Sequence, residues 1–149
     1  MAFDHGPTAG GDFHLKASYT ILSIMRTAAG PAAAPDAGLV VAKALMSAAA
    51  RLGLSNRQVA SIIGTSEASV SRLQRGRSID PRSKEGELAL LLVRLFRSLD
   101  SLVGGDEPQA RAWLHAMNDH VGGIPAERIT TVEGFVDVVQ YLDAMRGRL

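Results

Sequence analysis

Residues 56–75, NRQVASIIGTSEASVSRLQR, decide the reading of this chain. The stretch predicts two short helices, about 55–63 and 66–75, with a tight turn at Gly64. Ala60 is small, so the second helix can cross closely over the first. Gly64 stands where the backbone turns left-handed, a conformation that is cheap for glycine and costly for most other residues. Val59, Ile63, Val70 and Leu73 supply an apolar wedge between the two helices. Ser66 can cap the second helix by accepting from the free N–H groups of its first turn. Arg75-Gly76-Arg77 follows, with Gly76 a C-cap candidate. The pattern fits a helix-turn-helix; a plain antiparallel helix pair with a glycine turn is the other arrangement it allows.

Charge singles out the same region. Between residues 51 and 84 seven basic side chains (Arg51, Arg57, Arg72, Arg75, Arg77, Arg82, Lys84) meet two acidic ones, Glu67 and Asp80. The whole chain carries a net +1, so the remainder is acidic. A basic segment in an otherwise acidic chain points to a polyanion-binding face or to a solvated helix surface.

Working outward, the 149 residues have room for one medium domain or two very small ones. An apolar share of 46% excludes general disorder, and scarce aromatics leave a core of Leu, Ile, Val and Ala, which favours helices. We therefore expect an all-α fold. Residues 1–17 read as an irregular arm, residues 19–28 as a helix or a strand, and residues 30–35 as a Pro/Ala linker. Asp36 then caps a helix to about Leu52, ended by Gly53. A loop with Pro81 leads to a helix over about 84–103, whose Leu88, Leu91, Leu92, Leu95, Leu99 and Leu102 recur at three- and four-residue steps. Gly104-Gly105 stops it. Asp106 caps a helix through Trp113 to about Asn118, with Pro108 in its first turn. A turn at residues 122–125 precedes a last helix over about 132–145. The expected division is arm and linker 1–35, helix-turn-helix region 36–84, connecting leucine-rich helix 85–105 and a C-terminal domain 106–149.

Absences bound the function. Without cysteine, a disulfide-stapled secreted domain is excluded, and the N-terminus has neither the basic nor the apolar part of a signal peptide, so a cytoplasmic protein is expected. The longest strongly apolar run, residues 88–93, is far short of a membrane span. His5, His14, His115 and His120 have no metal-ligand spacing, and no phosphate-cradling loop of the GxxxxGK[ST] type exists. Glu133, Asp137 and Asp143 are spaced as a solvated stripe. No enzyme is expected.

On these residues the first part resembles the Xre-type helix-turn-helix of phage-repressor-like proteins. In such motifs the second helix enters the major groove with its N-terminal residues at base edges. That implies Glu67, Ala68, Ser69 and Arg72 as base-facing, with Ser66 at the helix start. Arginine reads guanine and a carboxylate can accept from cytosine; Glu67 also reads as an acid favoured by the helix dipole. Asn56 stands where the family usually has a phosphate-binding glutamine. Arg57, Ser71, Arg75 and Arg77 are candidate phosphate contacts, which position without reading sequence.

The last third has its own pattern: Trp113-Leu114, Asn118, Gly123, Pro125, Thr131, Gly134, Val138 and Tyr141-Leu142. From about Asp106 onward these resemble the toxin-binding domain of the Xre/MbcA/ParS antitoxins. With the first part, the resemblance covers roughly residues 39–149. It implies an antitoxin encoded beside a RES-domain toxin that consumes NAD or transfers ADP-ribose from it. The antitoxin binds the toxin, blocks its active site and represses the shared operon. Trp113, Pro125, Thr131, Phe135, Val138, Tyr141, Leu142, Arg146, Arg148 and Leu149 are the implied toxin contacts. The basic tail would enter a pocket built for a pyrophosphate; a frayed, solvated terminus is the other reading. Trp113 also reads as core. No small-molecule cofactor is implied. The partners expected are the RES toxin, operator DNA and a second copy of the chain, with helix 85–102 as either dimer seam or internal core. The competing function is a plain dimeric repressor whose C-terminal region only dimerises; a third is an interaction protein that has lost DNA binding.

Overall fold

The structure, a computed structural model, describes residues 34–148. The expected arm, the element over residues 19–28, most of the linker and Leu149 lie outside the described residues. Within them the chain forms α1 (Ala37–Arg51), α2 (Asn56–Ile63), α3 (Glu67–Gln74), α4 (Lys84–Leu102), α5 (Glu107–His115), a 3-10 turn (Asp119–Val121), α6 (Pro125–Arg128) and α7 (Val132–Arg146). The fold is all-α, as expected.

Each longer helix starts at a residue whose side chain accepts from its first turn. Asp36 takes Gly38 and Leu39 N–H at 2.8 and 3.2 Å, and Ser66 takes Ser69 N–H at 3.1 Å. Ser83, Asp106 and Thr131 do the same for α4, α5 and α7. Ser55 and Gln58 form a reciprocal capping box at the start of α2. These polar starts fix where the helices begin; apolar packing fixes where they lie.

The core is organised around α4, which packs on α1 and α2 along one side and on α7 along another. Leu92, Leu95 and Leu99 are 0–1% exposed. They meet Leu45, Leu52 and Ile63 from the first part and Phe135, Val138 and Leu142 from the last within one apolar cluster. The leucine-rich helix is thus the internal joint between the two parts.

That joint is reinforced at the C-terminal end of α1, where helix carbonyls lack intrahelical partners. Arg111 of α5 donates to the Ala50 and Arg51 carbonyls, both at 2.9 Å, and to Glu107 at 2.6 Å. His115 Nε2 lies 3.2 Å from the Leu52 carbonyl. Arg51 bonds Asp100 at 3.2 Å and stacks over the Phe96 ring at 4.7 Å. One helix of the last third thereby caps one helix of the first.

Three expectations are corrected. The helix after Asp106 ends at His115, not near Asn118: Ala116 is extended, and the Asn118 side chain instead accepts from His120 N–H at 3.0 Å to start the 3-10 turn. An asparagine that bonds its own downstream backbone competes with helix. The four-residue α6 was not foreseen. Finally, Asp143 leaves the expected solvated stripe, whereas Glu133 and Asp137 are exposed. Asp137 pairs with Arg128 at 2.9 Å, and Asp143 accepts from Ser98 at 2.8 Å and from Arg94.

Candidate functional site

The turn that makes the motif is built as its residues require. Gly64 ends α2 at φ 69° and ψ 42°, and Thr65 N–H returns to the Ala60 carbonyl at 3.0 Å. Val59, Ile63, Val70 and Leu73 are all buried, so the wedge between α2 and α3 is dry. With Val70 and Leu73 inward, the helical period of about 3.6 residues places Ala68, Ser71, Arg72 and Arg75 together on the opposite face. Ala68, Arg72 and Arg75 are exposed there, as is Glu67 in the first turn.

Arg72 is not loose on that face. Its guanidinium donates to Ser69 Oγ at 3.0 Å, and Ser66 Oγ donates to the same oxygen at 3.0 Å. Through Ser69 the capping serine is therefore linked to the arginine of the helix's last turn. Asn56 exchanges amide hydrogen bonds with Gln74, at 3.2 and 3.4 Å. This ties the start of α2 to the end of α3 across the outer surface. Each amide keeps one further donor hydrogen and one lone pair. Gln74 was not singled out in the sequence; its only signal was its place one residue before Arg75.

The other basic candidates divide. Arg57 and Arg75 are exposed. Arg77 is engaged: it pairs with Glu85 at the start of α4, and its Nε is buried without a partner. In the loop beyond, Asp80 accepts from Arg82 N–H at 2.9 Å, and that bond, with the Arg82 charge, holds its carboxyl below the ordinary carboxylate range. Lys84 pairs with Glu87 at 2.7 Å. The concentrated charge of residues 51–84 is thus partly neutralised, and the exposed positive face reduces to Arg57, Arg72 and Arg75.

In the last third, Pro125, Phe135, Val138 and Leu142 are buried within the chain itself. They pack beneath the surface of this part. Thr131 caps α7 through Gly134 N–H at 3.2 Å. Trp113 is half-buried and stacks on Tyr141, with ring centroids 6.3 Å apart and planes 9° from parallel. His120 stacks on Tyr141 as well, at 5.6 Å and 14°. The row Trp113–Tyr141–His120 crosses α5, α7 and the 3-10 turn and ends at the surface on the histidine. Sequence reading missed His120 in this role, because its neighbours come from other helices. Arg146 and Arg148 are exposed at the chain's end. The exposed apolar side chains here are Met117, Val132 and Val136.

Contacts with α4 and with Arg146 set the acidity of Asp143. Burial raises its pKa, and the Ser98 hydroxyl, the Arg94 guanidinium and the Arg146 charge together outweigh it, so the group sits below its ordinary range.

Comparison with known proteins matches two stretches of the chain. Residues 31–94 match the antitoxin Xre-like helix-turn-helix domain, and residues 98–148 match the antitoxin Xre/MbcA/ParS C-terminal toxin-binding domain. No curated protein matches the chain. No helix among the described residues is long and apolar enough to cross a membrane.

Proposed function

The chain belongs to the Xre-type antitoxins, and from that premise we propose that it neutralises a RES-type toxin that consumes NAD or transfers its ADP-ribose, and that it represses their shared operon. One observation supports this above others: a helix-turn-helix with an ordered, exposed arginine and a toxin-binding domain are joined through one core by α4. A protein built this way holds DNA and toxin on a single body. We assign DNA contact to Asn56, Arg57, Ser66, Glu67, Ala68, Ser69, Ser71, Arg72 and Arg75, with Arg77 acting on α4 through Glu85. Toxin contact falls to Trp113, Tyr141 and the end of α7 with Arg146, Arg148 and Leu149. Pro125, Thr131, Phe135, Val138 and Leu142 support that surface from within. Functionally, residues 36–84 form the DNA part, 85–105 the joint and 106–149 the toxin part. The protein works in the cytoplasm as a homodimer on two half-sites about one helical turn apart. It has no catalytic role and needs no cofactor.

The test is NAD consumption by the purified toxin of the neighbouring gene. Adding this chain at one equivalent abolishes that activity. A toxin that keeps its full rate in the presence of folded chain overturns the reading and leaves the plain dimeric repressor.

A further inference from the structure

Beside the last turn of α7 runs a shallow groove lined by Leu90 and Val93 of α4 and by Arg94, Arg97 and Arg146. Leu90 is 44% exposed there, one of five large apolar side chains the described residues leave open. Three guanidinium groups edge the groove, and Asp143 is the carboxylate that two of them meet: it bonds Arg94 and feels the charge of Arg146. Among the described residues neither Arg97 nor Arg146 has an ion-pair partner. Among the described residues the groove is therefore an exposed apolar strip edged by three positive charges against one carboxylate.

Its chemistry narrows the occupant. A phosphate backbone would satisfy the arginines and gain nothing from Leu90 and Val93. A second copy of this chain, packed about a two-fold axis on the same patch, would bring like charges together. A helix with carboxylates flanking an apolar ridge satisfies both features, and arginine is enriched among binding hot spots. The groove also spans the two matched regions: Arg94 closes the first, Arg146 lies in the second and Arg97 in neither. An occupant would hold both parts at once.

We propose that this groove seats an acidic, apolar-ridged helix of the toxin, paired by Arg94, Arg97 and Arg146 over Leu90 and Val93. The assignment rests on the antitoxin reading above. Arg97→Glu and Leu90→Ser test it, since both side chains face solvent and neither carries the core. Affinity for the purified toxin of the neighbouring gene is measured at two salt concentrations, with affinity for promoter DNA and thermal midpoint alongside. The expected result is a loss of about tenfold or more for Arg97→Glu with a shallower salt dependence. A several-fold loss is expected for Leu90→Ser, with DNA affinity and thermal midpoint unchanged. Wild-type toxin affinity and salt dependence in both variants overturn the groove while leaving the antitoxin reading intact. Loss of DNA affinity with toxin binding retained also overturns it, and makes the groove a phosphate surface. Wild-type chain that does not bind this toxin overturns the antitoxin reading, and the occupant with it.

Discussion

Arg72 in α3 and Arg75 at its C-cap lie three residues apart on one face, and the proposed DNA contact gives them different work. Arg72 lies in the last turn of α3, and its guanidinium reaches back to Ser69 in the helix's N-terminal half, the half that meets base edges in such motifs; Arg75 is the residue that ends the helix. Arg72→Ala should therefore relax sequence preference at one base pair, at about 1–3 kcal/mol, while Arg75→Ala weakens binding to all sequences and lowers the salt slope by about one. Binding to a panel of single-base operator variants at two salt concentrations separates them. Asp143 carries a prediction in pH. Its folded pKa is depressed, so its stabilisation is present above the unfolded value of about 3.9 and is lost as pH falls through the lower folded value. Thermal midpoints measured from pH 6 downward should fall in that acid range, and Asp143→Asn should be less stable at pH 6 and flatter below pH 4. The sequence announced Arg72 through its motif. It did not announce Ser98 and Asp143, which lie 45 residues apart and meet because α4 and α7 do.

At the scale of elements, local chemistry was legible and tertiary chemistry was not. Asp36, Ser66 and Asp106 were readable as caps because a cap depends on residues two or three positions away, and all three cap as expected. The end of α5 was misread because Trp113 to Asn118 keeps helical composition, while the Asn118 side chain favours its own turn. Whether α4 was seam or core could not be decided from its leucines, since the same stripe suits both; Phe135, Val138 and Leu142 decide it by covering that stripe. The start of α7 is packed tightly enough to test. A Cβ at Gly134 would lie 2.3 Å from the Arg128 carbonyl oxygen, too close to exist without backbone movement. Gly134→Ala should cost about 1–3 kcal/mol, read as a lower thermal midpoint. Because the strain falls on the toxin-binding part, toxin affinity should fall more than DNA affinity.

For the whole molecule, the two matched regions are not two separable modules. Leu92, Leu95 and Leu99 serve both, and Arg111 and His115 cap a helix of the first part from the last. Removing residues 106–149 should therefore expose the α4 stripe and give an aggregating chain. Truncation consequently reports on folding before it reports on function, and point variants on the surface are the better probes. The two-part organisation was visible in the sequence because each part has its own motif spacing; the shared core was not, because no spacing rule links Leu99 to Leu142. In the proposed function one body both recognises DNA and silences a toxin, and the silencing is its more distinctive half. Its most direct measurement is growth of cells induced for the neighbouring toxin gene, with and without this full chain supplied from a second plasmid. The account predicts arrest with the toxin alone and restored growth with the chain present. Arrest that persists while the chain accumulates in folded form would contradict it.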